Sequence, residues 1–201
     1  HSSSAASDVY KRQVFDYPLF QNSEISNYES FVLRNSGNDW TSTMLRDGYI
    51  TSLANKTDID HQLFRPAVIY LNGEYWGIQN IREKVNEHFL SSHPDINPEN
   101  IDLLDIQGTN PENIVHGTNV DYLNLLDYLN NNDIRDPVVQ SGIEGWIDIN
   151  SFMQYQAFQI FIDNRDWPGN NIKFWRDHRT TGKWRWILYD TDFGFGIWDP
   201  G

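Results

Sequence analysis

No cysteine occurs among the 201 residues of this chain. That absence excludes disulfides, thiolate nucleophiles and cysteine-type zinc sites. Basic residues are also scarce, with 15 Lys and Arg against 28 Asp and Glu and a net charge of −13. Without a basic stripe, neither nucleic acid nor an anionic membrane surface is an expected partner. The charge suits a basic protein or peptide, and an ordinary acidic, solvated surface explains it equally well. No apolar run approaches the length of a membrane span. The sequence shows no signal peptide and does not begin with Met.

What the chain does have is aromatic residues, at 14% with 8 Trp, which points to a packed interior. Its length suits one domain with a core large enough to fold unaided. Residues 1–13 carry neither apolar period nor cap pattern and are read as a non-native or disordered leader, like translated adapter sequence. At the other end, Trp198-Asp199-Pro200-Gly201 follows directly on a site-like loop. The expectation is a partial domain over 14–201, truncated at both ends.

The pattern of elements predicts an α+β fold. Ser30 to Leu33 reads as a short strand, and the spacing of Met44, Leu45, Tyr49, Ile50 and Leu53 predicts a helix over Trp40 to Leu53. Asn72-Gly73 between Ala67–Leu71 and Tyr75–Ile81 predicts a β-hairpin, which also explains Gly73 better than a phosphate-binding loop. Asn86 is expected to cap a short helix through Leu90, and Ile101 to Ile106 reads as a strand. Asn110 to Asn119 reads as a polar loop, followed by an amphipathic helix through Tyr122, Leu125, Leu126 and Leu129. Asp148 or Asn150 is expected to cap a longer helix toward Ile162. Strands over Ile172–Arg176 and Trp184–Tyr189 then flank a turn at Arg179 to Gly182.

Chemistry concentrates in the last third. Asp166 stands in a loop, Asn171 opens one strand, and Asp190 ends its hairpin partner, with Asp192 two residues on. A hairpin places the start of one strand beside the end of the other, so Asn171 and Asp190 are expected to be neighbours under Asp166. Carboxylate and amide oxygens in that arrangement suit Mg²⁺ or Mn²⁺. Asp166 would accept the proton of a substrate hydroxyl in phosphoryl transfer. A structural polar loop accounts for the same residue types, since Asp, Asn, Pro and Gly satisfy local backbone geometry. Metal-assisted phosphoester hydrolysis would use the same ligands.

Motifs in a fixed order carry a resemblance: Leu33-Arg34-Asn35, Asp39, Leu45-Arg46, Asn72 to Ile78, Arg82-Glu83-Lys84-Val85, Phe89-Leu90, Asn164-x-Asp166-Trp167 with Asn171, and Trp186 to Asp190 with Asp192, Phe195 and Gly196. From about residue 30 onward the chain resembles the CotH spore-coat kinase family. The resemblance implies an atypical protein-kinase-like domain of β-hairpins and packed helices. It implies an ATP- and divalent-metal-dependent enzyme that phosphorylates Ser or Thr of a protein substrate, in a spore coat or outside the cell. It implies Asp166 as the catalytic Asp, Asn171 and Asp190 as metal ligands, and Asp192 as a weaker one. The literal Asp192-Phe193-Gly194 looks like the kinase Asp-Phe-Gly, but the family's Phe-Gly aligns with Phe195-Gly196. The family's upstream Lys-rich strand pair, expected to touch nucleotide phosphates, has no counterpart before Ser30, and its C-terminal helices are not found. The alternative is a CotH-like module that binds coat, wall or carbohydrate partners without chemistry.

Two further residues are candidates for nucleotide contact. Arg46 could pair with phosphate, against a solvated helix-face reading. Glu83 could orient a phosphate-binding base, against a surface carboxylate beside Arg82 and Lys84. The six His do not cluster, and neither His88 nor His93 is read as a ligand. Trp167, Trp175, Trp184, Trp186 and Trp198 read as core or cleft walls. Asn55-Lys56-Thr57 is a lone glycosylation sequon.

Overall fold

Asn72 and Gly73 both adopt left-handed backbone in the computed structural model, at φ 52° and 86°. A two-residue hairpin turn that matches strand twist requires this. The structure describes residues 14–197 apart from 22, 24, 93–95 and 108–109. The leader, His93 and Trp198 lie outside the described residues. In chain order the elements are β1 (Phe15–Asp16), β2 (Asn27–Tyr28), β3 (Phe31–Arg34), α1 (Arg46–Leu53), β4 (Asp60–His61), β5 (Phe64–Leu71), β6 (Glu74–Glu83) and α2 (Glu87–Ser91). There follow β7 (Ile101–Gln107), β8 (Asn110–His116), α3 (Val120–Asn131), α4 (Pro137–Trp146), α5 (Ile149–Phe161), β9 (Ile172–Asp177) and β10 (Arg185–Leu188). The fold is mixed α and β.

The hairpin β5–β6 joins β3 in an antiparallel sheet of order β3-β6-β5. A larger sheet has the order β4-β10-β9-β7-β8, antiparallel except where β4 runs parallel to β10. Alternation divides the larger sheet into two faces. On one, Ile101, Leu103, Trp175 and Ile187 pack with Val85, Phe89 and Leu90 around α2. On the other, Leu104, Ile172 and Phe174 meet Leu125 of α3, with Ile147 and Trp184 in the same cluster. Tyr155 of α5 closes a third cluster with Ala54, Ile59 and Leu188. Trp184 is fully buried and Trp175 nearly so, while Trp167 and Trp186 pack against these clusters.

Side-chain caps start the helices where Asn and Asp foretell them. Asn86 accepts from the N–H groups of His88 and Phe89, and Asp148 from that of Ser151. Three expectations need correction. The helix expected over Trp40–Leu53 begins only at Arg46, because Met44 is left-handed (φ 61°) and the Asp39 carboxylate gathers the N–H groups of Thr43 and Arg46. Its apolar spacing is no buried stripe, since Leu45, Tyr49 and Leu53 are exposed and Ile50 is buried. The expected loop over 110–119 is largely strand β8, paired with β7 through Leu104↔Ile114 and Asp105↔Asn113. Its place at the sheet edge accommodates polar residues and Pro111. Helix α4 was not anticipated, although its Asp136-Pro137 start is a cap followed by proline at the first position, with Asp136 accepting from Val138 N–H at 2.8 Å.

Candidate active site

The loop after α5 is organised by three asparagines. Asn164 is buried, with its Nδ2 donating to Gln159 Oε1 at 2.9 Å and its Oδ1 accepting from the Asp166 N–H at 3.2 Å. Asp166 is thereby turned toward the start of β9. There its Oδ2 accepts from Asn171 Nδ2 at 2.5 Å and from Asn170 Nδ2 at 3.1 Å. Asn171 is left-handed (φ 55°), a conformation that asparagine tolerates better than most residues.

The β9–β10 ladder pairs Lys173 with Ile187. Asn171 and Asp190 therefore flank the same end of this hairpin, as their positions in the sequence predict. Asp190, also left-handed (φ 51°), is 24% exposed, whereas Asp192 is 1% exposed. The two carboxylates meet one guanidinium: Arg34 Nη2 bonds Asp190 Oδ1 and lies 3.5 Å from Asp192 Oδ2. Asp192 also accepts from the Asn38 N–H at 2.9 Å and from its Nδ2 at 3.3 Å. The chain can approach this closely only because residue 37 is glycine. It has φ 57°, and a Cβ there would fall 2.3 Å from Asp192 Oδ2.

A third carboxylate stands behind this pair. Asp47 of α1 accepts at Oδ1 from the Thr191 N–H at 2.8 Å and from its hydroxyl at 3.0 Å. Arg82 Nη1 lies 3.0 Å from Asp47 Oδ2, a charge contact rather than an aligned hydrogen bond, and Arg34 Nη1 lies 3.6 Å away. Three carboxylates thus share two guanidiniums lent by β3 and β6. Burial and then the Asp190 charge push the Asp192 carboxyl above its usual range, against the Asn38 N–H and Arg34, which lower it. Burial would lower Arg34, but the carboxylates of Asp47, Asp190 and Asp192 hold it above its ordinary value.

The two candidates for nucleotide contact lie inside the scaffold. Arg46 donates Nε to Asp39 at 3.2 Å and Nη1 to the carbonyls of Gly194 and Phe195 at 2.8 and 3.0 Å. It ties α1 to the loop beyond Asp192. Glu83 is 4% exposed, accepts from the Leu63 N–H at 2.9 Å, and is pushed by burial up to about 7. The surface reading of the Arg82-Glu83-Lys84 run holds only for Lys84, because Arg82 is 1% exposed and donates to Gln62 Oε1 at 2.9 Å. Beyond Asp192, Gly194 N–H closes a turn on Thr191 O at 2.9 Å, and Phe195 N–H reaches Ile162 O at 2.6 Å.

Arg34, Asp47 and Arg82 were not foreseen as part of this site. An arginine inside an apolar strand, as at 34 and 82, is a sequence signal for a buried charge partner. Asp47 offers no such signal on a short helix.

The donor types here are those a hard divalent cation takes. Asp190 and Asp192 carry carboxylate oxygens, and because Asn171 gives its Nδ2 to Asp166, its Oδ1 remains an acceptor. Among the described residues, no three His, Asp or Glu side chains group as an all-acid or imidazole metal cage. Among the same residues no helix is long and apolar enough to cross a membrane.

The family model described as CotH kinase protein matches residues 6–200, nearly the whole chain. The match includes residues ahead of the first motif at Leu33, of which 6–13 lie outside the described part. No curated protein matches the chain.

Proposed function

This chain belongs to the CotH kinase protein family, and on that footing we propose that it is an ATP- and divalent-metal-dependent protein kinase transferring the γ-phosphoryl group to Ser or Thr hydroxyls of a protein substrate. The observation that carries the reading is the Asp166 carboxylate, held by the amides of Asn170 and Asn171 at the sheet end from which Asp190 emerges. A carboxylate held in place by neutral amide donors at this sheet end is positioned to accept a hydroxyl proton. Mg²⁺ or Mn²⁺ would be held by Asp190 and Asn171, with Asp192 behind them, and would supply charge neutralisation at the phosphate oxygens. In this reading Arg46 and Glu83 act on the nucleotide through the chain they brace. Arg46 fixes the loop at 194–195, and Glu83 fixes the end of β6. The substrate would be a coat or extracellular protein.

The test is transfer of label from γ-labelled ATP to a Ser/Thr-rich acceptor protein with Mg²⁺ or Mn²⁺. Asp166→Asn should retain the fold and lose roughly 10²–10⁴-fold in rate, the usual contribution of a general base. Unchanged transfer in that variant would refute the assignment. A second reading, a binding module without chemistry, is favoured by one contact: Arg34 rests on Asp190, the carboxylate assigned to the metal. Metal-dependent ATP binding that is lost in Asp190→Ala separates the two readings, since only the kinase needs it.

A further inference from the structure

A tyrosine and a glutamine one turn apart on α5 lie in the core, Tyr155 at 0% and Gln159 at 1% exposure. A buried amide is costly unless both of its ends are bonded. Those of Gln159 are. Its Nε2 donates to Tyr155 Oη at 3.0 Å, and its Oε1 accepts from Asn164 Nδ2 at 2.9 Å. Asn164 in turn offers Oδ1 to the Asp166 N–H at 3.2 Å. The backbone runs alongside, with Asn164 N–H on Gln159 O at 3.2 Å and Trp167 N–H on Asn164 O at 3.3 Å.

The direction of this chain of bonds is fixed from its outer end. A backbone N–H only donates, so the Asn164 atom that faces Asp166 has to be oxygen. Its Nδ2 then faces Gln159, which answers with Oε1 and has Nε2 left for the Tyr155 hydroxyl. Burial pushes the Tyr155 phenol up, so the inner end stays a neutral hydroxyl. Each amide therefore holds the other in one orientation.

The inner end rests on the strand that leads to Asp190. Tyr155 packs with Ala54, Ile59 and Leu188, and Leu188 precedes Asp190 by two residues. Trp167, beside Asp166, packs against the same cluster. One packed group of side chains thus touches both the loop that carries Asp166 and the strand that delivers Asp190.

Resting on the kinase reading, we propose that Tyr155, Gln159 and Asn164 are positioning residues for phosphoryl transfer, a buried relay that sets where Asp166 stands relative to Asp190. They act through the Asp166 backbone. An apolar side chain of the same size at 159 would fill the space without holding the loop.

The test combines transfer from γ-labelled ATP with Mg²⁺ and hydrogen exchange at the Asp166 N–H, in the 201-residue chain and in Gln159→Met, Gln159→Glu and Tyr155→Phe. Gln159→Met keeps the size and loses the bond to Asn164. It should lower kcat about 10–100-fold, the scale of a misplacement of roughly 1 Å, leave the KM for ATP unchanged and speed exchange at Asp166. Gln159→Glu accepts from Asn164 with one oxygen and from the Tyr155 hydroxyl with the other. It should restore most of kcat and of the protection, a rescue that lost packing alone would not give. Tyr155→Phe keeps the ring in its cluster and frees only Gln159 Nε2, so it decides the matter if the variants at 159 are unstable. Faster Asp166 exchange in it supports the relay, and exchange at the parental rate overturns it. If the parent transfers label and folded Gln159→Met does so at the parental kcat, the relay is overturned and the kinase reading stands. If the folded parent transfers no label, the kinase reading falls and this assignment with it.

Discussion

Replacing Asp47 by Asn removes one buried charge while keeping the shape and the Oδ1 acceptor that holds Thr191. What is lost is the counter-charge of Arg82, which is 1% exposed and 3.0 Å away. Removing one member of a buried pair costs about 3–5 kcal/mol, because the surviving charge is left without compensation. Arg34 stands 3.6 Å from the same carboxylate and itself carries Asp190, so the network has some slack and the lower end of that range applies. About 3 kcal/mol corresponds to a fall in Tm of about 6–12 °C for a domain of this size. Urea and thermal unfolding, followed by circular dichroism, would measure it. The double variant Asp47→Asn with Arg82→Met removes the orphaned guanidinium as well. It should lose well under the sum of the two single losses. A single-variant loss below about 1 kcal/mol, or additivity within about 0.5 kcal/mol, would refute the view that this pair holds α1 to β6.

Two further outcomes follow from the same buried charges. Burial holds the Glu83 carboxyl at about 7 against an ordinary 4.5, so the folded chain keeps a proton that the unfolded chain releases between those values. This group's contribution is therefore fully present below pH 4.5 and is lost as pH rises through about 7, to a total of about 3 kcal/mol. Glu83→Gln should flatten that part of the stability profile, and an unaltered slope in urea unfolding across the window would count against it. Asp190 and Asp192 should separate function from folding. Asp190→Asn, at a partly exposed ion-pair partner of Arg34, should lose no more than about 1 kcal/mol and remove phosphotransfer, whereas Asp192→Asn should lose about 1–3 kcal/mol as the anchor of Asn38. The opposite ranking in paired melting and labelling assays would restore the literal Asp192-Phe193-Gly194 register.

Local chemistry made most of the fold legible. Asn72-Gly73 demanded left-handed backbone and received it, and Asn86 and Asp148 became the caps their positions foretold. One failure came where a distant partner decided the outcome. Asn110 to His116 has the composition of a loop and becomes a strand because β7 offers an open edge. A local partner decided another: Asp39 delays the helix to Arg46, and of the apolar period from Met44 to Leu53 only Ile50 is buried while Leu45, Tyr49 and Leu53 are exposed.

The geometry of the candidate site was legible for the same reason. Asp166 meets Asn171 through one loop, and Asp190 emerges at the same end of one hairpin, short-range features that sequence order determines. Their electrostatic setting is long-range: Arg34 and Asp190 are 156 positions apart, and Asp47 and Thr191 are 144. Those contacts decide how the two terminal carboxylates differ. Asp192 is drawn inward by the Asn38 N–H and by a glycine that leaves room for it, and so becomes part of the scaffold. Asp190 keeps about a quarter of its side-chain surface and has the guanidinium of Arg34 as its partner. A cation that takes Asp190 must share it with Arg34 or displace it. Displacement would move the arginine toward Asp47 and Asp192, which already face it at 3.6 and 3.5 Å. The same network that holds the two sheets together therefore provides a second place for the charge that occupancy of the site would expel.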